Sequence, residues 1–368
     1  MRVLSCKLTN FRNYDHADVE FFSGENLISG GNGQGKTNLV EAVMLCALSK
    51  SPRTSHDEDL KKEGCSHAEV ELCVERDFGK LYLKCIIDDE LGKKFYLNSN
   101  ELKKVSDLFG NLVAVYFSPN DLILVSGSPA ERRDFIDTDI SQLSGSYYNL
   151  TQRYAKVLFQ RNKLLKTVHD RSLIADQIDI WDEQLASLSG LIIKTRKSFI
   201  EKLKQPANDI LKFISKDSDS LNIYYDGAKG ESSEEIKQDI LKSLKFNLAK
   251  DMELGYTTIG PHRDDIVFEL NGKDAKVFAS QGQKRSIVLA LKIAELVVFE
   301  KELGEKPVLV LDDVFSELDS TRQKKLYSWL SGYQVLMTGT TFKFKPTEEE
   351  GYKQLIIKAA TIKSKGKN

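Results

Sequence analysis

The chain has 368 residues, 41% of them hydrophobic and 29% charged, enough apolar material for one large or two ordinary domains with a packed core. Its 53 Lys and Arg stand against 54 Asp and Glu, a formal net charge of −1, so no global positive field draws it onto nucleic acid and any polyanion site must be a local patch. Five cysteines (Cys6, Cys46, Cys65, Cys73, Cys85) form an odd set without a C-x-x-C pair, which argues against a disulfide framework or a structural zinc and for core thiols in a reduced compartment.

The opening "MRVLSCKLTNFRNY" is too polar for a signal peptide and no run approaches 18 apolar residues, so no membrane partner and a cytoplasmic location are expected. Leu4, Cys6 and Leu8 alternate with polar residues, and "DVEFF" and "NLIS" follow as short strands leading into a glycine-rich loop. "TNLVEAVMLCALS" then reads as a helix apolar on nearly every side, hence buried. The alternations Val70, Leu72, Val74 and Leu81, Leu83, Cys85, Ile87 flank "RDFGK" as an antiparallel hairpin, and "NLVAVYF" is a further buried strand. From about Glu131 to Leu248 long helical patterns take over, a separate helical lobe without heptads long enough for an extended coiled coil. Strands return at "DDIVFELNG", "PVLVLDD" and "YQVLMTG", with a helix after "ASQGQK" and a polar helix before the last strand. The tail from Lys353 is lysine-rich, and its last residues are expected to be frayed.

Gly30-x4-Gly35-Lys36-Thr37 matches the full Walker A pattern, after a strand and before a helix as its mechanism requires. Gly30, Gly31, Asn32, Gly33, Gln34 and Gly35 would close backbone N–H groups around a β-phosphate, with Lys36 on the β and γ oxygens and the Thr37 hydroxyl on Mg²⁺. "VLVLDD" (308–313) supplies the partner strand: Asp312 for the magnesium shell, and Asp313 to orient or deprotonate the attacking water. The alternative for the two acids is a buried strand with capping carboxylates. Most of the chain lies between Lys36 and Asp312, more than one βαβ unit needs, so the nucleotide fold is split by an insertion.

The order of motifs resembles the ABC and SMC-like ATPases, in which a Ser-x-Gly-Gln signature precedes a helix and the Walker B strand, and a Leu-Asp "D-loop" follows. Here these are Ser280-Gln281-Gly282-Gln283, "VLVLDD" and Ser316-Glu317-Leu318-Asp319. The resemblance implies that Ser280, Gly282 and Gln283 of one subunit close over the ATP held by the P-loop of another; an ordinary helix cap, Ser280 on the backbone of Gln283, is the alternative. "NFRNY" (10–14), "FSPNDLILVSGSPAERRDFID" (117–137), "TTIGPHRDD" (257–265) and "VLDDVFSELDSTR" (310–322) narrow the resemblance to the RecF family of bacterial recombination mediators, along nearly the whole chain. It implies an α/β fold, an ABC-type ATPase head with an inserted helical lobe: 1–130 and 251–368 the two halves of the head, 131–250 the lobe. It further implies an ATP-dependent homodimer that binds DNA, hydrolyses ATP slowly, and works with RecO and RecR to load RecA at single-stranded gaps, with Arg12 and Asn13 among the nucleotide contacts. An ABC transporter's ATPase subunit is the alternative, disfavoured by the large helical lobe.

Against the wider ABC pattern, Asp313 replaces a catalytic Glu and is one methylene shorter, which implies slow turnover. No switch His follows the next strand; Thr338, Thr340 or Thr341 stand there instead. Asn120 or Asp121 replaces the usual coupling Gln. For DNA, helical numbering puts Tyr154, Leu158 and Leu165 on one face with Lys156, Lys163 and Lys166 opposite, and Arg132 and Arg133 are further candidates. A solvated face is the plain alternative for such a stripe. His262 and Arg263 in "GPHRDD" read equally as an ion-paired turn or a nucleotide contact.

Overall fold

Helix α1 (Lys36–Leu48) buries eleven of its thirteen residues, on all sides, because it has a sheet on each side. The structure is a computed structural model that describes residues 1–167, 171–342 and 351–367. In chain order the strands are β1 (Arg2–Phe11), β2 (Tyr14–Glu20), β3 (Glu25–Ser29), β4 (His67–Arg76), β5 (Gly79–Asp88), β6 (Gly92–Leu97), β7 (Asn100–Glu101), β8 (Ala114–Phe117), β9 (Leu221–Asp226), β10 (Asp265–Leu270), β11 (Lys273–Asp274), β12 (Val308–Asp312), β13 (Val335–Gly339), β14 (Tyr352–Lys358) and β15 (Thr361–Lys367). The remaining helices are α2 (Ile123–Ser126), α3 (Pro129–Leu143), α4 (Gly145–Thr167), α5 (Arg171–Ser215), α6 (Ser233–Leu254), α7 (Ala275–Phe278), α8 (Gln281–Leu303), α9 (Val314–Glu317) and α10 (Ser320–Tyr327).

The chain divides into two units. The first, Met1–Asp121 with Leu291–Asn368, holds two six-stranded sheets. One is antiparallel, ordered β2-β1-β4-β5-β6-β7, and its strands alternate buried with exposed positions because only one face meets the core. The other runs β15-β14-β3-β13-β12-β8 and is parallel except at β15. Its strands β3, β12 and β13 are buried at every residue, the mark of a sheet covered on both faces. α1 packs on β1, β4 and β5 of one sheet and on β8, β12 and β13 of the other. Cutting Leu39 or Leu45 to alanine there would cost about 2–5 kcal/mol.

The expectation of a frayed tail is overturned. Residues 352–367 form the β14–β15 hairpin, β14 pairing in parallel with β3 so that Tyr352 faces Glu25 and Ile356 faces Ser29. Leu355 and Ile357 are buried, and these alternate apolar positions carry the strand in spite of the lysines around them. Asn368 lies outside the described residues.

The second unit, Leu122–Ala290, contains the long helices and a three-stranded sheet ordered β11-β10-β9. The expected lobe, 131–250, falls inside it; the unit is wider because β9 pairs with β10 and α3 packs on β10. α3 begins at a Ser128 cap with Pro129 at its first position, and α6 at a Ser232/Glu235 capping box, ending on Gly255 at φ 71°. α5 runs for 45 residues, with Pro206 inside it, and packs against both α4 and α6. The three helices are pinned by Arg161 of α4, fully buried, which donates to Asp182 of α5 (2.6 Å) and Asp251 of α6 (2.7 Å). Removing one partner would strand a buried charge at a cost of about 3–5 kcal/mol.

Candidate nucleotide site

β3 ends at Ser29 and α1 begins at Lys36, and residues 30–35 between them form the loop. Gly35 caps α1 at φ 111°, and a Cβ there would come within 2.9 Å of the Asn13 side chain and the Tyr14 hydroxyl. A Cβ at Gly30 would fall 2.4 Å from the Ile357 carbonyl oxygen, so close backbone approach, as much as phosphate binding, demands glycine here. The β1–β2 turn braces the loop from one side. Tyr14 Oη donates to the Gly35 carbonyl (2.9 Å), Asn13 Nδ2 donates to the Gln34 carbonyl (3.2 Å), and Asn38 Nδ2 donates to Asn13 Oδ1 (2.8 Å). The β14–β15 turn clasps it from the other: Ala359 N–H donates to Gln34 Oε1 (2.6 Å) and Ala360 N–H to the Gln34 carbonyl (3.2 Å). Lys36 Nζ donates to the carbonyls of Gly30 (3.0 Å) and Gly31 (2.9 Å), lying along the inside of the loop.

Arg12 is held by α1. Its Nε and Nη2 donate to the two carboxylate oxygens of the fully buried Glu41 (2.9 and 2.6 Å), which also accepts from Arg53 and Ser51. The four hydrogen bonds from these three partners offset the desolvation of that carboxylate and tie the "NFRNY" turn to the helix that follows the loop.

Asp312 ends β12 and is buried. Its Oδ1 accepts from Thr37 (2.9 Å) and Thr338 (2.6 Å), its Oδ2 from Tyr116 (2.9 Å). Three hydroxyls thus converge on its two oxygens. Burial first, and then the Asp312 charge, push the Tyr116 phenol far above its usual range, so it stays a donor. Thr37 and Asp312 together offer a hydroxyl and a carboxylate oxygen at the end of a phosphate-type loop, the oxygen set that Mg²⁺ takes when substrate phosphates complete its shell. Asp313 sits at φ 58°, donates its N–H to Thr338 Oγ1 (2.9 Å) and accepts from Ser316 Oγ at its carbonyl (2.7 Å), capping α9.

Of the residues expected in place of a switch His, Thr338 is the one bound to the Asp312 carboxylate; Thr340 and Thr341 are exposed beyond β13. Of the two coupling candidates, Asn120 is exposed, while Asp121 accepts from Ser118 N–H (2.6 Å) with Lys292 at 3.9 Å, and burial raises its pKa. Tyr116, Tyr14, Asn38 and Glu41 were not among the expected site residues. Tyr116 carries a faint signal, a polar group within the apolar "NLVAVYF" strand one residue from its end.

In the second unit, Ser280 and Gln283 form a reciprocal cap at the start of α8: Gln283 N–H donates to Ser280 Oγ (3.2 Å) and Ser280 N–H to Gln283 Oε1 (3.0 Å). Gln283 Nε2 also donates to Asp219 (3.1 Å). The signature serine is therefore a helix cap, exposed at its helix mouth. Lys156, Lys163 and Lys166 are exposed on α4, while Tyr154 and Leu165 are buried. Arg132 is a correction. It is buried and pairs with both oxygens of Asp265 (2.7 and 2.8 Å), so it is not presented to a polyanion. Arg133 donates to the Asp264 carbonyl (2.8 Å). "GPHRDD" is not an ion-paired turn of its own either. His262 accepts from the Tyr154 hydroxyl at Nδ1 (2.6 Å) and donates from Nε2 to the Thr257 carbonyl (3.1 Å), Arg263 lies over the Tyr256 ring, and Asp264 accepts from Tyr225. All five cysteines are free, three of them buried. Among the described residues no helix is long and apolar enough to cross a membrane.

A parallel sheet carrying a Walker A loop, an antiparallel sheet across α1 and a Walker B aspartate on β12, one strand removed from β3, define a P-loop ATPase head of the SMC-like ABC class. The RecF/RecN/SMC N terminal domain family model matches residues 3–342. The DNA replication and repair protein RecF of Alkaliphilus oremlandii is 40% identical over 344 residues, covering 92% of this chain and 93% of that one. That of Acetivibrio thermocellus is 41% identical over 341 residues, covering 90% and 91%. The solved structure of the recombination mediator protein RecF-ATP in the RecFOR pathway matches with a TM-score of 0.92 at 34% identity, over 98% of this chain and 97% of that one. The chain belongs to the RecF family. The Smc head domain of Pyrococcus furiosus, at 15% identity and a TM-score of 0.56, shares the fold alone.

Proposed function

We propose that this protein binds ATP and, in that state, forms a homodimer that holds DNA in replication and recombinational repair, with slow hydrolysis resetting the bound state. In this reading residues 1–130 and 251–368 are the two halves of the ATPase head and 131–250 the helical lobe. The observation that carries it is the joining of Thr37 and Asp312 at the end of a loop braced on both sides, on a fold shared with a solved RecF-ATP structure. The loop's backbone N–H groups, from Gly30 to Thr37, meet the phosphates, and the Lys36 ammonium offsets charge on the β and γ oxygens. Mg²⁺ held by Thr37 and Asp312 would supply Lewis-acid polarisation of the phosphoryl oxygens. Asp313 orients the attacking water; its short side chain makes turnover slow. Arg12 and Asn13 act through the loop and α1 that they brace. Ser280, Gly282 and Gln283 complete the site of a second copy, the helix mouth facing its γ-phosphate.

The relatives' role in DNA replication and repair, and the RecFOR pathway of the solved structure, support cytoplasmic work alongside RecO and RecR in loading RecA. The direct test is DNA binding with and without ATP on single-stranded, duplex and gapped substrates. Binding that strengthens with ATP, most on gapped DNA, is expected; binding indifferent to ATP would leave the nucleotide site without this role.

A further inference from the structure

Residues 255–264 connect α6 to β10, and all three long helices of the second unit hold this loop. Thr257 N–H and hydroxyl donate to Asn162 of α4 (2.8 and 2.7 Å), and Thr258 N–H and hydroxyl donate to Asp251 of α6 (3.0 and 2.7 Å). The Pro261 carbonyl accepts from Arg196 of α5 (2.6 Å). The Tyr154 hydroxyl holds His262, and a Cβ at Gly260 would come within 2.7 Å of that same oxygen. Arg161, already paired to Asp182 and Asp251, donates to the Thr257 hydroxyl as well (2.9 Å). A buried ion pair is a weak source of stability, and what this one does for the loop is fix its position.

Two side chains of the loop take no part in that anchoring. Tyr256 is 39% exposed, and Arg263 is exposed with its guanidinium carbon 4.9 Å from the Tyr256 ring centre. Lys166 of α4 reaches the same turn: a Cβ at Gly255, the residue before Tyr256, would lie 3.2 Å from Lys166 Cγ. Lys166 is also exposed, and neither it nor Arg263 is ion-paired to a described residue. The plain explanation for cations here is the C-terminus of α6, whose dipole amounts to about half a negative charge; two full positive charges exceed that about four-fold. Glu253, exposed on the last turn, lies two residues after Asp251, so it stands on the side of α6 turned away from α4.

We propose that Arg263, seated on the Tyr256 ring, and Lys166 beside it take backbone phosphates of DNA, one each. This rests on the DNA reading given above and names residues that carry it. The ring beneath the guanidinium holds its plane and leaves N–H groups at its edge, the fork that fits a phosphate, while Lys166 adds a point charge. The pinned backbone sets Arg263 in place before DNA arrives, so little ordering is needed on binding. Contacts of this kind read no bases and act on any sequence. An acidic protein segment fits less well, because the ring that could anchor it is already faced by the guanidinium.

The full chain with saturating ATP is titrated with a dye-labelled duplex, and with a single strand of equal length, at several salt concentrations. Arg263→Gln should weaken binding about three- to ten-fold and lower the slope of log affinity against log salt by about one; adding Lys166→Gln should lower it by about two in all. Tyr256→Leu removes the seat and keeps the charge, so affinity should fall about three-fold with the slope unchanged. Lys194→Gln is the control: this exposed lysine of α5 lies two residues from Arg196, turned away from the loop, and its loss should leave affinity and slope as in the wild type. None of these side chains is buried, so thermal unfolding and ATP binding, measured alongside, should not change. Wild-type affinity and slope in the Arg263→Gln, Lys166→Gln variant, as a surface for an acidic protein would give, overturn the proposal. An equal loss in Lys194→Gln overturns it too, since net charge alone would then account for binding, and so does undiminished affinity in Tyr256→Leu. Failure of the wild-type chain to bind either DNA would instead overturn the DNA reading itself.

Discussion

Asp312 accepts from three hydroxyls at once, and one of its donors, Thr37, lies on the helix that follows the phosphate loop. An amide in its place still accepts from Thr37 and Thr338 but loses the charge. Asp312→Asn should therefore retain ATP binding, most of which is loop backbone, and lose hydrolysis by about a hundred-fold or more. Phosphate release and nucleotide binding measured together check this, and normal hydrolysis would remove Asp312 from the metal site. A second residue-scale prediction concerns "GPHRDD". Burial pushes the Asp264 carboxyl up from 3.8 to about 6, and burial pulls His262 down from 6.5 to about 4. The Asp264 contribution to stability is full below pH 3.8 and is lost as pH rises towards 6; the His262 contribution is full above pH 6.5 and is lost as pH falls towards 4. Between about pH 4 and 6 the two slopes oppose each other. Asp264→Asn should make stability rise more steeply with pH across that window than in the wild type, and His262→Gln should make it fall. Denaturant unfolding across the window reads both, and parallel curves for all three proteins would show that neither group is perturbed. What the sequence could not show at this scale is pairing: Arg132 looked like a surface cation because its partner, Asp265, lies 133 residues away.

At the scale of elements, the helix after the loop was legible as buried because its apolar residues leave no polar stripe; that it lies between two sheets is what the structure adds. The tail was not. Its lysines outweigh the alternation of Leu355 and Ile357, and nothing local reveals that β3 offers a free edge for β14. The hairpin that forms there turns through Ala359 and Ala360 at φ 46° and 56°, a two-residue turn that favours Asn-Gly, so each alanine is strained by about 1 kcal/mol. That strained turn is also the one that holds Gln34. Ala359→Asn with Ala360→Gly keeps both N–H groups and should raise stability by about 1 kcal/mol, a melting-temperature gain of a few degrees, with ATP affinity unchanged. Gln34→Ala removes the acceptor for Ala359 N–H and should weaken ATP binding about five-fold, as the loss of one hydrogen bond would. Calorimetry for the first and nucleotide titration for the second check the pair. Unchanged affinity in Gln34→Ala would mean that the hairpin merely packs on the loop.

For the whole molecule, "GGNGQGKT" and "ASQGQK" both stand out as short motifs, since each gathers its groups in adjacent residues. Their relation across two copies is the central claim. Ser280 caps its own helix, which alone would explain its presence; the account requires that the same helix mouth also meets a second copy's phosphate. Ser280→Arg should bind ATP through its own loop but fail to dimerise, because the larger side chain fills the phosphate's place. Lys36→Ala should fail through weakened ATP binding. Light scattering with ATP, on each variant alone and on an equal mixture, is the measurement that decides. Monomers in each separate sample and ATP-dependent heterodimers in the mixture, weaker than the wild-type dimer, are predicted, because one complete site is rebuilt per pair. Normal dimerisation of Ser280→Arg by itself would contradict the account and leave Ser280 as a helix cap.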